Sequence, residues 1–251
     1  MKKNEPVIKN NTENQEETRL NVFIAHAGFC SRRMADELIK KGEITINHAV
    51  VKLCAYKVRE KDTVRYKKQV IKSGKIKLIT IALNKPIGVI TSASDERHRK
   101  TVIDLLDRRK IKARLYPVGR LDLNTTGVLL LTNDGQLAQE LAHPKFKVKK
   151  VYQVTLSKDL TTEHFERIKK GHRLKDGPIK VDHISCGMQK NKARVTLHSG
   201  RFRIVRRIFE SLGYTVRKLD RINFGGITTK SLQSGEYRFL TIKELKALKK
   251  N

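Results

Sequence analysis

From Leu20 onward the apolar positions fall into short periodic runs. Leu20, Phe23 and Ile24 have helical spacing, and after a turn at Gly28 comes Ser31. A serine there can cap a second helix, its hydroxyl accepting one of the unpaired N–H groups of the first turn. Met34, Ala35, Leu38 and Ile39 line one face of that helix, and Arg32, Arg33, Lys40 and Lys41 spread over the rest. Gly42 can end it, because glycine takes the left-handed position after a helix without a Cβ penalty. Short strands are expected at 43–46, 50–51 and 63–66, with Asn47-His48 turning between the first two. Residues 1–18 show no sustained periodicity and read as a mobile tail.

The segment 67–77 is polar and basic around Gly74 and reads as a linker between a small unit, 19–66, and a larger one, 78–251. The larger unit opens with a strand-like stretch, 78–84, ended by Lys85-Pro86. A helix is expected at 101–110, with Val102, Leu105 and Leu106 on one side, then a strongly apolar strand at 127–132. Gly135 precedes a helix containing Leu137 and Leu141; strands follow at 151–156 and 193–197, with a short helix at 162–170 between them. In a last helix, 204–212, Ile204, Ile208 and Leu212 recur at spacing four and face a core. Short strands interspersed with helices, without strict βαβ repetition, predict an α+β fold built on a mixed sheet. No GxGxxG or GxxxxGK loop supports a nucleotide-cofactor fold.

Charge sharpens this picture. The 251 residues carry 55 Lys plus Arg against 25 Asp plus Glu, a formal net charge of +30. That makes a polyanion the first partner to consider. Hydrophobic residues at 38% still supply a core, which excludes a wholly disordered basic chain. No apolar stretch approaches the ~20 residues that cross a bilayer, so a soluble protein without a membrane partner is expected. Cys30, Cys54 and Cys186 form no CxxC pair, and the eight histidines are scattered with no HExxH. A zinc module, a disulfide framework and a catalytic metal are all disfavoured, and a reducing, cytoplasmic setting fits.

The densest chemical signal runs from Tyr116 to Asp122, followed by Thr125, Gly127 and the Leu129–Leu131 run. A carboxylate between a glycine turn and a buried strand is rigidly held, either as a nucleophile or base or simply as a turn cap. Between 201 and 221 lie seven basic residues: Arg201, Arg203, Arg206, Arg207, Arg217, Lys218 and Arg221. Such a set can hold phosphates, or lend one arginine to a buried Asp. Tyr152 follows Lys147, Lys149 and Lys150, where a ring beside cations suits an unstacked base, although a strand Tyr is ordinarily core.

Taken in order, these motifs resemble those of the bacterial ribosomal-RNA pseudouridine synthases that carry an N-terminal S4 RNA-binding domain. In the small unit the resemblance rests on Arg19-Leu20, Ala27-Gly28, Cys30-Ser31-Arg32-Arg33, Ala35, Leu38-Ile39, Gly42 and Asn47. In the larger one it rests on Asn84-Lys85-Pro86-Ile87-Gly88, Gly119-Arg120-Leu121-Asp122, Thr132-Asn133-Asp134-Gly135 and Lys150-Val151-Tyr152. It continues through Leu174-Lys175-Asp176-Gly177-Pro178, Gly200-Arg201-Phe202-Arg203, Val205-Arg206-Arg207 and a closing run from Gly235 to Thr241. The Asp-Gly-Pro segment is more similar to the B-type branch, which acts on large-subunit RNA, than to the branch that acts on small-subunit RNA.

The resemblance implies a small S4-like RNA-binding domain followed by a larger mixed-sheet catalytic domain that isomerises uridine to pseudouridine in large-subunit (23S) ribosomal RNA. It implies no ATP, redox cofactor or metal. Asp122 would be the catalytic carboxylate, as nucleophile at the ribose or as base on a glycal route. Tyr152 would stack on the uracil, and Arg203, in preference to Arg206, would pair with Asp122. Arg120 would position the flipped nucleotide, Arg201, Arg206 and Arg207 would add RNA contacts, and Arg32, Arg33 and Lys40 would hold structured RNA from the S4-like domain. The chain departs from the family pattern at Ile204, often Gln or Glu, at Ser199, where an acid is common, and at His48, usually glycine. The histidine fits a turn whose backbone avoids positive φ.

Three other readings stand beside this one: action on small-subunit (16S) RNA, a catalytically idle ribosome-assembly factor, and a DNA-compacting protein, which fits the charge but not the ordered motifs. A monomer acting on a large-subunit precursor is expected.

Overall fold

The periodic run from Leu20 is realised as two helices in a computed structural model that describes residues 18–72 and 77–249. Strand β1 (Thr18–Arg19) leads into α1 (Leu20–His26) and α2 (Arg32–Lys40), whose Ser31 hydroxyl accepts the Met34 N–H at 3.1 Å. Strands β2 (Ile44–Ile46), β3 (Ala49–Val50), β4 (Lys57–Val58), β5 (Val64–Tyr66) and β6 (Gln69–Val70) follow. Four of them pair in the order β3-β2-β5-β6, and β1 pairs with β4. Leu20, Ile24, Ala35, Ile39, Ile44 and Val64 form the core of this unit, while Met34, expected on the inner face, is exposed.

Two expectations change here. Asn47 and His48 do form the turn, but with φ of 51° and 72°. His48 therefore occupies the left-handed backbone that it was expected to avoid, at a steric cost that glycine would not incur. The stretch read as a linker is ordered at its start: β6 closes a hairpin on β5, and Ile71 is buried in the small core. The expected tail, apart from Thr18, and residues 73–76 lie outside the described residues.

The second unit begins at Leu78. Its strands are β7 (Thr80–Lys85), β8 (Tyr116–Pro117), β9 (Thr126–Thr132), β10 (Lys150–Leu156), β11 (His172–Leu174), β12 (Gly177–Ile179), β13 (His183–Cys186), β14 (Lys192–Leu197), β15 (Val216–Phe224) and β16 (Tyr237–Phe239). Helices α3 (Gly135–Ala142), α4 (Thr162–Lys170), α5 (Ile204–Glu210) and α6 (Ile242–Lys249) flank them. An eight-stranded sheet runs β13-β14-β10-β15-β9-β7-β16, with β8 also on β9, while β11 and β12 make a separate hairpin. The sheet is mixed. Its one parallel pair is β15 with β9, which joins two antiparallel halves.

The uninterrupted apolar run of β9 reflects burial on both faces. Leu129 and Leu131 pack into one core cluster with Ile81, Leu83 and Ile208, and Val128 and Leu130 into another with Leu137, Leu141 and Phe224. At the parallel seam Gly127 has φ +102°, and a Cβ there would lie 2.3 Å from the Arg221 carbonyl oxygen. Only glycine permits that approach.

Residues 101–110 are not a helix. The Thr101 N–H and hydroxyl both donate to the Asp104 carboxylate at 2.8 Å, and Val102 N–H donates to Ile90 O at 2.9 Å. These local bonds replace the helical ladder with successive turns, while Val102 and Leu106 still reach the core. Strand β15, central to the sheet, carries Arg217, Lys218, Asp220 and Arg221, and those charges hide its alternation.

Candidate active site

Asp122 stands, half-buried, on the loop between β8 and β9, and every backbone carbonyl of residues 122–125 is held by a buried cation. Lys85, fully buried at the end of β7, donates from Nζ to Asp122 O at 3.2 Å, Leu123 O at 3.4 Å and Thr125 O at 3.0 Å. Arg206, 7% exposed on α5, donates to Asn124 O at 2.7 Å and, with its other amino group, to Val216 O at 2.9 Å. A loop fixed in this way cannot drift, so the carboxylate it carries is preorganised.

Both cations feel the negative charge of Asp122. Burial lowers the Lys85 ammonium to about 8, and the negative charge of Asp122 opposes that fall. Burial also lowers Arg206, helped by neighbouring Arg203 and opposed by Asp122 and Glu210. Arg206, not Arg203, is thus the arginine beneath the Asp122 loop. The family resemblance favours Arg203 over Arg206 as the partner of Asp122. Instead Arg203 precedes α5 in a left-handed conformation, φ 46°, and its nearest acid is Glu210 at 3.5 Å. It lines the cleft, which Arg206 does not.

That cleft, of about 250 Å³, brings Arg120, Asp122, Tyr152, Arg201, Phe202 and Arg203 together. Tyr152 lies on β10 opposite Arg221 of β15, just where the register slips between Val151 and Tyr152. Such a bulge re-aims side chains at a site. Deeper in the wall, the Arg221 guanidinium is 4.7 Å from the Phe224 ring, with Nε donating to Val128 O at 2.8 Å. Lys150 Nζ donates to Val148 O and His198 O, both at 3.1 Å. Burial, reinforced by Arg221 and opposed by Asp182, lowers Lys150 to about 8.

The remaining arginines have other partners. Arg201 and Arg207 both bind the Asp176 carboxylate in the β11–β12 turn, and Arg201 also donates to Pro178 O at 2.9 Å. Their charge is largely engaged in holding that hairpin, and these pairs hold the Asp176 carboxyl well below the usual carboxylate range. Arg206, expected among the RNA contacts, is buried behind the loop and is not part of the cleft lining. Arg32, Arg33 and Lys40 are exposed on α2 of the small unit.

Sequence reasoning named Lys85 only within a motif, Lys150 only within a motif and a basic cluster, and Arg221 only within a basic cluster, giving none of the three its own place in the site. The motifs containing the two lysines were legible, but a lysine's burial has no sequence mark beyond its apolar neighbours, Ile81 to Leu83 for Lys85.

A fixed carboxylate, an aromatic wall and a cationic lining equip the cleft to act on a nucleotide held by its phosphates. Residues 79–211 match the RNA pseudouridylate synthase family and residues 18–64 match the S4 domain. The chain belongs to the RNA pseudouridine synthase family of RNA-modifying isomerases, with an N-terminal S4 domain. It is 39% identical to ribosomal large subunit pseudouridine synthase B of Bacillus subtilis, over 92% of this chain and 95% of that one. It is 37% identical to an RNA pseudouridine synthase of Aquifex aeolicus, over 92% and 94% of the two chains. A crystal structure of a pseudouridylate synthase superposes with a TM-score of 0.66 at 29% identity, over 92% of this chain and 99% of the other.

Proposed function

We propose that the chain isomerises a uridine of large-subunit (23S) ribosomal RNA, with Asp122 as the reacting carboxylate. The observation that carries this is the Asp122 loop, whose carbonyls are gripped by Lys85 and Arg206 at the rim of a cleft walled by Tyr152. The choice of large-subunit RNA draws on the likeness to the Bacillus subtilis enzyme.

In the proposed reaction the uridine N1–C1′ bond breaks, the uracil turns, and C5 bonds to C1′. The C5 proton leaves and N1 takes one up, so the step is redox-neutral and consumes no co-reactant. Asp122 either attacks C1′ or removes a ribose proton. Tyr152 stacks on the uracil, Arg206 and Lys85 hold the loop, and Arg120 and Arg203 meet phosphates at the cleft. Arg201 and Arg207 act by fixing the β11–β12 turn.

The S4 unit adds affinity through Arg32, Arg33 and Lys40, which are exposed. The protein works as a cytoplasmic monomer on a large-subunit precursor. No helix among the described residues is long and apolar enough to cross a membrane.

The test is tritium release from C5-labelled, unmodified ribosomal RNA of each subunit, with Asp122→Asn in parallel and chemical mapping of the product. Release at one large-subunit uridine by wild type only is the expected result. Release from small-subunit RNA would move the substrate to the other branch. Tight binding without release from either RNA or precursor particles would make the protein an assembly factor.

A further inference from the structure

Tyr152 is not the only ring in the cleft wall. Phe202 also lines it and is 68% exposed, whereas Tyr152 is 9% exposed. The two rings therefore sit at different depths, one sunk and one at the margin.

Phe202 is exposed but firmly mounted. On one side Arg201 grips the β11–β12 turn through Asp176 O at 2.8 Å and Pro178 O at 2.9 Å. The Phe202 carbonyl accepts from the Arg207 guanidinium at 3.2 Å, and on the other side Arg203 starts α5 from a left-handed backbone. An aromatic ring left in water on an anchored backbone forgoes the burial its area would favour. Arg120 and Arg203 line the same cleft, so cations flank the ring. An exposed π-face among cations is complementary to an unpaired base on a phosphate backbone. Across the loop, Leu123 directly follows Asp122 and is also exposed.

We propose that Phe202 stacks on the base next to the reacting uridine, so that the site reads two successive nucleotides: the target against Tyr152 and its neighbour against Phe202. This inference rests on the uridine-isomerising reading of the cleft. Extruding a uridine removes a stacking partner from its neighbours, and the Phe202 face replaces one of them. The contact favours targets whose neighbour is unpaired, and it tolerates any base identity because every base has a π-face.

The experiment uses the full-length protein and the shortest C5-tritiated transcript around the mapped uridine that wild type still modifies. Wild type, Phe202→Ala, Phe202→Leu and Phe202→Tyr are compared on that RNA and on two versions carrying an abasic site at one neighbour or the other. On intact RNA Phe202→Ala is expected to lose about 5- to 100-fold in kcat/KM, with Tyr near wild type and Leu between. On one of the two abasic RNAs wild type should fall to the level of Phe202→Ala, and the variant should fall no further. A loss below about twofold, or an equal loss on intact and both abasic RNAs, overturns the proposal while leaving the isomerase reading intact. Failure of wild type to release tritium from any ribosomal RNA would overturn that reading, and the stacking role with it.

Discussion

Arg32 and Arg33 on α2 and Arg201, Arg206 and Arg207 around α5 are the same residue type in two contrasting situations. The first pair is exposed, and among the described residues neither has an ion-pair partner. The second set is bound to the protein itself, Arg206 to two carbonyls and the others to Asp176. A guanidinium already bound to a carboxylate has little left for a phosphate, and one bound beneath a loop acts on shape instead of affinity. In the small unit, then, arginine is available to RNA. In the large one Arg201, Arg206 and Arg207 build the machinery that holds Asp122 and Phe202 in place, while Arg120 and Arg203 line the cleft.

The hardest test of that contrast is Arg206→Met. Its removal leaves the Asn124 and Val216 carbonyls without their donor, so a stability loss of about 3 kcal/mol is expected in a urea melt. Tritium release should fall by more than about 100-fold as the Asp122 loop loosens. Near-normal release from a folded variant would show that the loop does not depend on this clamp.

Charge reversal of Arg32 and Arg33 should do the opposite. Folding should stay within about 0.5 kcal/mol of wild type, while RNA affinity drops roughly tenfold and the slope of log affinity against log salt becomes shallower by about 1–2. Filter binding across a salt series measures this, and an unchanged slope would remove RNA contact from α2.

A pH series gives a smaller, several-fold effect. The Lys85 ammonium loses its proton as pH rises through about 8, leaving the amine with fewer donors for the four carbonyls it holds. Activity should therefore fall on that limb. Stability should not fall with it: between about 8 and the ordinary lysine value of 10.5 the unfolded chain binds more protons than the folded one, so folding becomes more favourable with rising pH. Lys150 titrates in the same range, so the profile is repeated on Lys150→Met. An alkaline limb that disappears in that variant would assign the effect to Lys150.

The smallest change is expected from Asp176→Asn, which weakens the acceptor shared by Arg201 and Arg207. Freed in part, the two arginines become available to phosphate, and the salt slope of RNA binding should steepen by about 1. A slope that stays the same would mean that these arginines remain on the hairpin backbone, through bonds such as Arg201 to Pro178 O.

Much of this was legible along the chain because it is local. Apolar periodicity, the Ser31 cap and the Gly42 stop set α1 and α2, and the apolar run of β9 announced a buried strand. Residues 101–110 misled because their apolar spacing is helical, while Thr101, Asp104 and Ile90 offer bonds that the spacing does not show. Strand β15 was overlooked because a cluster of charges reads as surface, although Arg221 is among the most buried side chains of the sheet.

For the site, the family resemblance carried by the motifs implied that Asp122, Tyr152 and the arginine-rich segment belong together, and the net charge pointed to a polyanion. Only the tertiary structure decided which cation does what. Lys85 meets the Asp122 loop across the β7–β9 pairing, and Arg206 reaches Asn124 from 82 residues away in the chain. Arg201 and Arg207 find Asp176 in a hairpin 25 and 31 residues upstream. A sequence counts charges, but whether a cation meets water, a carbonyl or a carboxylate depends on acceptors that folding brings to it. That is why the chemistry of this cleft could be anticipated in kind and assigned to particular arginines only in three dimensions.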